Sequence, residues 1–147
     1  MNIRFSFLII LIGILCIHVC AVNPVTGQQD LVLLSEADEI ALGRKTNQEV
    51  LKQYAVYDDP ALQKYVQDIG SRLAANSHRN DLVYRFTVLD SKEVNAFALP
   101  GGYIYITRGL MAYLKSEAEL AAVLGHEIGH VTARHSVRQY SASQFAN

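Results

Sequence analysis

The chain has 147 residues, with 13 Lys+Arg against 14 Asp+Glu for a formal net charge of −1, and is 50% hydrophobic and 18% charged. Disorder needs low hydrophobicity and high net charge, so that class is excluded, and the near-neutral balance removes nucleic acid as an expected partner. The length allows one domain of ordinary size.

Residues 5–29 contain no Asp, Glu, Lys or Arg, and Arg4 is the only side-chain charge ahead of them. Within this stretch, Phe5 to Ile17 is a 13-residue apolar run. As a helix it would span roughly 20 Å, short of a hydrocarbon core of about 30 Å. A basic residue before a short apolar core reads as a secretory signal over residues 1–20. Extended through Val22, the run reaches 18 residues with Ser6 and His18 interrupting it, so an uncleaved anchor is the alternative. Both cysteines, Cys16 and Cys20, fall here, which leaves no pair for a disulfide in the body of the chain. Cys20 stands where a lipoprotein carries its acylated cysteine, although Ile17-His18-Val19 lacks the small residues expected before it. A cysteine used as a small hydrophobe is the other reading. Residues 21–34, with the polar, turn-rich Asn23 to Gln29, read as a tether, and 35–147 as the folded body.

Ser35 is a helix N-cap, with Glu36, Asp38 and Glu39 in the first turn, so a helix is expected over 35–54. Asp59-Pro60 starts a second, and Leu62, Tyr65, Val66, Ile69 and Leu73 form its apolar stripe. His78 falls in the polar loop that follows and is expected to be solvated. Val83 to Leu89 is rich in β-branched and aromatic residues and reads as a strand. Ala96 to Leu99, the turn Pro100-Gly101-Gly102 and Tyr103 to Thr107 read as a hairpin. Its role is either structural or, with a free edge, the docking of an extended peptide.

Ser116-Glu-Ala-Glu119 is a capping box opening a helix through Ala133. That helix is apolar or small all round except for His, Glu and Thr, which predicts a buried position. Two imidazoles and a carboxylate in such a helix need something to satisfy them. His126-Glu127-Ile-Gly-His130 places two histidines one turn apart on one face, where both reach one zinc ion at about 2.0–2.1 Å. Glu127, offset from both, is then placed to take a proton from zinc-activated water and pass it to a leaving amine. His135, nine residues after His126, falls about 180° away on a continuous helix and is not expected to ligate. Arg134, His135 and Arg138 are expected to complement the helix C-terminus.

With these residues in view, the chain resembles the HtpX/Ste-type zinc metallopeptidases, and within them the envelope branch that includes the beta-barrel assembly-enhancing proteases. The likeness rests on the segment from Asn95 to Gly109, on Glu119 to His130, on Ala133-Arg134-His135, on the helix start Ser35 to Gly43 and on the tether from Cys20 to Gly27. It implies an α+β, zincin-like metallopeptidase domain truncated at its C-terminus, binding one Zn2+ through His126 and His130 with Glu127 as catalytic base. It implies that the strand from Asn95 to Gly102 borders the substrate cleft, which makes Asn95, Ala96, Phe97, Ala98, Pro100 and Gly101 substrate-binding candidates. It further implies a third ligand, a Glu on a later helix beyond Asn147, and a lipid on Cys20. The expected activity is endoproteolysis of misfolded or unassembled proteins at the cell envelope or periplasm. The expected partners are protein substrates and a membrane, reached through a lipid or an uncleaved anchor. A non-proteolytic, chaperone-like binding module is the alternative function.

Overall fold

A computed structural model gives the fold over residues 20–22, 29–31 and 34–145. The expected export signal before Cys20 lies outside the described residues, as do 23–28 and 32–33 of the expected tether. β1 (Cys20–Val22) pairs antiparallel with β2 (Gln29–Leu31), with Cys20 opposite Leu31.

Helix α1 (Glu36–Gln53) starts where Ser35 Oγ accepts the Asp38 N–H at 3.2 Å. Helix α2 (Pro60–Ala74) starts where Asp59 Oδ1 accepts the Leu62 N–H at 2.9 Å, with proline at the first position. In each, a side-chain oxygen satisfies a backbone donor that the helix cannot. β3 (Arg85–Leu89) begins two residues later than the sequence suggests. β4 (Ala96–Leu99) and β5 (Tyr103–Thr107) form the expected hairpin, with Ala96 opposite Ile106 and Leu99 opposite Tyr103. After β5 come a short helix α3 (Arg108–Met111), then α4 (Glu117–Thr132) and α5 (His135–Phe145).

The sheet order is β3-β5-β4, with β3 parallel and β4 antiparallel to the central β5. All five β5 residues are buried, as suits a strand covered on both faces. Alternation divides the sheet between two apolar clusters. Phe86, Val88, Ile104 and Ile106 meet Val66 and Ile69 of α2 and Leu120, Leu124 and Ile128 of α4. Leu89, Tyr103 and Tyr105 meet Val50 of α1 and Tyr54, the residue that ends it, on the other side. Burial pushes the Tyr105 hydroxyl up to about 12, so it stays protonated and donates to Asn47 Oδ1. The result is the expected α+β arrangement of helices around a small sheet.

The two edges of that sheet differ. Along β3, Gln63 Oε1 accepts the Val88 N–H and its Nε2 donates to the Val88 carbonyl, both at 2.9 Å. Gln67, one turn on, accepts the Phe86 N–H at 2.9 Å and donates to the Tyr84 carbonyl at 3.3 Å. Two carboxamides thus stand in for a neighbouring strand and close that edge. Along β4, the Thr107 N–H bonds the Asn95 carbonyl at 3.0 Å, which sets the ladder. Antiparallel alternation then turns the N–H and C=O of Ala96 and Ala98 outward. Among the described residues, no strand pairs with them.

The β4–β5 turn is held by α1. A Cβ on Gly43 would sit 1.9 Å from the Pro100 carbonyl oxygen, so only glycine lets this helix approach the turn. Gly101 (φ 73°) and Gly102 (φ 89°) supply the left-handed backbone that the turn needs. Gly43→Ala is therefore expected to destabilise the chain by about 1–3 kcal/mol, the usual cost of overpacking against backbone. A urea unfolding curve checks this; an unchanged midpoint would show that the helix can move aside at no cost.

Candidate metal centre

Helix α4 is capped at Ser116, whose Oγ accepts the Glu119 N–H at 3.2 Å. The reciprocal half of the box is displaced by one residue, since Glu119 Oε2 accepts the Lys115 N–H at 2.6 Å. From this start the helix presents Leu120, Leu124, Ile128 and Val131 to the core. The expectation of burial on every side is not met. Ala122, Gly125, His126 and Gly129 are exposed, and a Cβ on either glycine would find nothing within 4 Å among the described residues. Among the described residues, one sheet face, shared with α2, covers a single stripe of α4.

The motif lies along the border of this open face. His126 Nε2 and His130 Nε2 are 3.0 Å apart, with ring centroids 4.6 Å apart and planes 84° to one another. Their nitrogens and a Glu127 carboxylate oxygen all fall within 4.8 Å of one another, and among the described residues this is the group of His, Cys, Asp or Glu drawn closely enough to hold a metal ion. Two imidazole nitrogens about 2.0–2.1 Å from a tetrahedral ion stand about 3.3 Å apart, so the pair fits such an ion with a small adjustment. Glu127 is 7% exposed. Burial pushes its carboxyl above the usual carboxylate range, and the charges of His130 and His126 pull partly against that. A carboxylate so placed holds a proton more readily than a solvated one.

Beside the motif is a cleft of about 440 Å³. Asn95 and Ala96 line it opposite His126 and Glu127, and Val94, Leu110, Ala122 and Val123 give it an apolar wall. Of the six substrate-binding candidates, the structure thus brings Asn95 and Ala96 to the motif. Ala98 lies on the same sheet face as Ala96, packed against the larger core. Phe97 points to the other face and stacks on Tyr105, with centroids 5.0 Å apart. Pro100 and Gly101 are buried against α1, away from the cleft. Ala122 and Val123 precede His126 by one turn, so helical spacing alone could have named them.

The charged residues around α4 depart from expectation. Glu39, expected only to place negative charge in the first turn of α1, is 1% exposed. Arg79 Nη1 donates to its Oε1 and Arg134 Nε to its Oε2, each at 2.8 Å. Arg134 also donates to the Leu34 carbonyl at 3.0 Å, and Arg79 reaches the Val131 carbonyl near the end of α4 at 3.4 Å. Arg79 thus serves the helix C-terminus, a role expected of Arg134. Arg134 itself has φ 53°, a left-handed residue that stops α4 before His135 begins α5. That break replaces the continuous helix assumed for His135, which nevertheless stays outside the metal-ligating group. Its Nδ1 lies 2.7 Å from Nδ1 of His130. His78 is exposed, as expected, beside Gly125 and Gly129 at a second hollow of about 310 Å³.

The family model for peptidase family M48 matches residues 60–147, which include β3 to β5 and the whole motif. The chain belongs to peptidase family M48. Among M48 relatives, the beta-barrel assembly-enhancing protease of Yersinia pestis is 34% identical over 121 residues, 82% of this chain and 25% of that protein. The beta-barrel assembly-enhancing protease of Escherichia coli (strain K12) is 32% identical over 111 residues, 76% of this chain and 23% of its own length. The mitochondrial metalloendopeptidase OMA1 of Arabidopsis thaliana is 42% identical over 84 residues, 57% of this chain and 17% of its own. The chain therefore spans about a quarter or less of the length of these M48 proteins.

The ion triad gives a direct test of how the centre is supported. Glu39→Gln keeps the volume but leaves Arg79 and Arg134 facing a neutral amide. The loss is expected to be about 3–5 kcal/mol, as for other buried pairs stripped of one partner. Chemical unfolding of the purified variant measures it; a loss under about 1 kcal/mol would place the triad with ordinary surface pairs.

Proposed function

We propose that this chain carries the catalytic centre of a zinc-dependent endopeptidase acting at the cell envelope on misfolded or unassembled proteins. The observation that carries the reading is the paired Nε2 atoms of His126 and His130, 3.0 Å apart, with buried Glu127 beside them at the mouth of an apolar cleft. Membership of a metallopeptidase family supports the same chemistry.

In this reading His126 and His130 hold the zinc. A zinc ion there supplies Lewis acidity, polarising the scissile carbonyl and lowering the pKa of water. Glu127 takes the proton from the attacking water and returns it to the leaving amine. Its burial supports this role, because a carboxylate with a raised pKa is the stronger base. The outward N–H and C=O groups of Ala96 and Ala98 bind an extended peptide as an added strand. Ala96 and Asn95 then hold the peptide bond across from Glu127, while Val94, Leu110 and Val123 receive an apolar side chain. The closed edge of β3 leaves β4 as the edge on which such a strand can add.

The envelope location and the lipid on Cys20 rest on the sequence of residues 1–20, and the relatives named for beta-barrel assembly support the choice of substrate. Among the described residues no helix is long and apolar enough to cross a membrane.

Glu127→Gln separates the base from the ligands. Cleavage of unfolded casein, measured on protein that carries the third ligand expected beyond Asn147, is expected to fall by about 100-fold or more, the scale of general acid–base catalysis. Zinc content should be unchanged. Equal cleavage by the variant would remove Glu127 from the mechanism. Wild-type protein that holds zinc through a complete set of ligands without cleaving would favour the non-proteolytic binding module.

A further inference from the structure

We propose that His135 is a positioning residue for the metal centre. It accepts the Nδ1–H of His130 and so fixes the tautomer and ring orientation that present Nε2 of His130 to a cation. The proposal rests on the metal-binding reading above and goes beyond it, because it gives His135 a task that neither the motif nor its spacing contains.

The two nitrogens of the His130 ring have different neighbours. Nε2 lies 3.0 Å from Nε2 of His126, and Nδ1 lies 2.7 Å from Nδ1 of His135. The His130 and His135 rings meet edgewise, with centroids 4.9 Å apart and planes at 66°. A neutral imidazole carries one N–H and one lone pair. A contact between two Nδ1 atoms holds a single hydrogen, which sits on one ring or the other. If it sits on His135, the Nε2 of His130 carries a hydrogen and has no lone pair for a metal. If it sits on His130, Nε2 is free to ligate and His135 is the acceptor. Metal binding and this hydrogen bond therefore select the same arrangement. Histidine ligands commonly donate their second nitrogen to such an acceptor, which fixes the ring and raises its basicity.

The break between α4 and α5 makes the contact. On an uninterrupted helix, residues five apart diverge by about 140° and their side chains do not meet. Arg134, left-handed at φ 53° and tied to Glu39, turns the chain so that His135 comes back over His130. His135 also addresses the nitrogen that His126 does not, which makes it a support for a ligand, not a ligand.

Cobalt(II) and zinc are the probes, added to the purified chain and to its His135→Ala and His135→Asn variants. The asparagine side-chain oxygen can take the place of the accepting Nδ1. His135→Ala is expected to weaken binding of both ions by about 10–100-fold, the usual cost of losing such a partner, and His135→Asn to recover most of it. At saturation, the visible cobalt bands of His135→Ala should keep the wild-type position and intensity, because no ligand is lost. Unaltered affinity in His135→Ala, no recovery in His135→Asn or a changed cobalt spectrum would each overturn the proposal. A wild-type chain that binds neither ion would overturn the metal reading, and this inference with it. Binding by wild type with no effect of His135→Ala would overturn this inference alone.

Discussion

The carboxylate of Glu39 is the point on which the rest of the molecule turns. An ionised group with 1% of its surface exposed cannot stay in an apolar interior without partners. Its partners come from two distant places in the chain, Arg79 after α2 and Arg134 after α4, each at 2.8 Å. Satisfying one charge therefore fixes the relation of three segments. It also settles where α4 ends. A left-handed arginine costs roughly 1–2 kcal/mol relative to a right-handed one, and the bonds from Arg134 to Glu39 and the Leu34 carbonyl offset that cost. With the helix stopped there, His135 returns to His130.

The sheet shows the same economy at its edges. An unpaired edge invites further strands, and here the two edges are handled in opposite ways. Gln63 and Gln67 close β3 with side-chain amides that copy the hydrogen-bonding pattern of a peptide. β4 keeps Ala96 and Ala98 open beside the cleft. Small side chains suit that position, since they leave the backbone accessible and let α4 approach the strand. The apolar stripe of α4 packs on the sheet while its histidines stay at the border, within reach of anything laid along β4.

Much of this was legible in the sequence because it depends on local chemistry. Ser35, Asp59 and Ser116 act through backbone donors three residues ahead, so the caps and helix starts could be read directly. The pairing of His126 with His130 follows from helical spacing, and the hairpin from Pro100-Gly101-Gly102. What could not be read depends on contacts distant in sequence. Three acids open α1, and nothing local says that Glu39 is the one that turns inward. Its spacing of four from Gly43, which packs on the Pro100 carbonyl, is the single hint. The parallel pairing of β3 with β5 needs a partner 18 residues away, Arg85 opposite Tyr103. The position of His135 was misjudged because a continuous helix was assumed through Arg134, whose left-handed backbone carries no glycine to announce it. Composition reports what α4 contains and not which of its faces the described residues cover.

The central claim is that the two histidines of α4 bind a metal together. Zinc K-edge X-ray absorption on the zinc-loaded purified protein tests it most directly, because scattering from imidazole rings counts them. The account predicts two imidazoles bound through nitrogen at about 2.0–2.1 Å in the wild type and one in His130→Ala. A wild-type spectrum with no imidazole contribution, or one unchanged by His130→Ala, would contradict it.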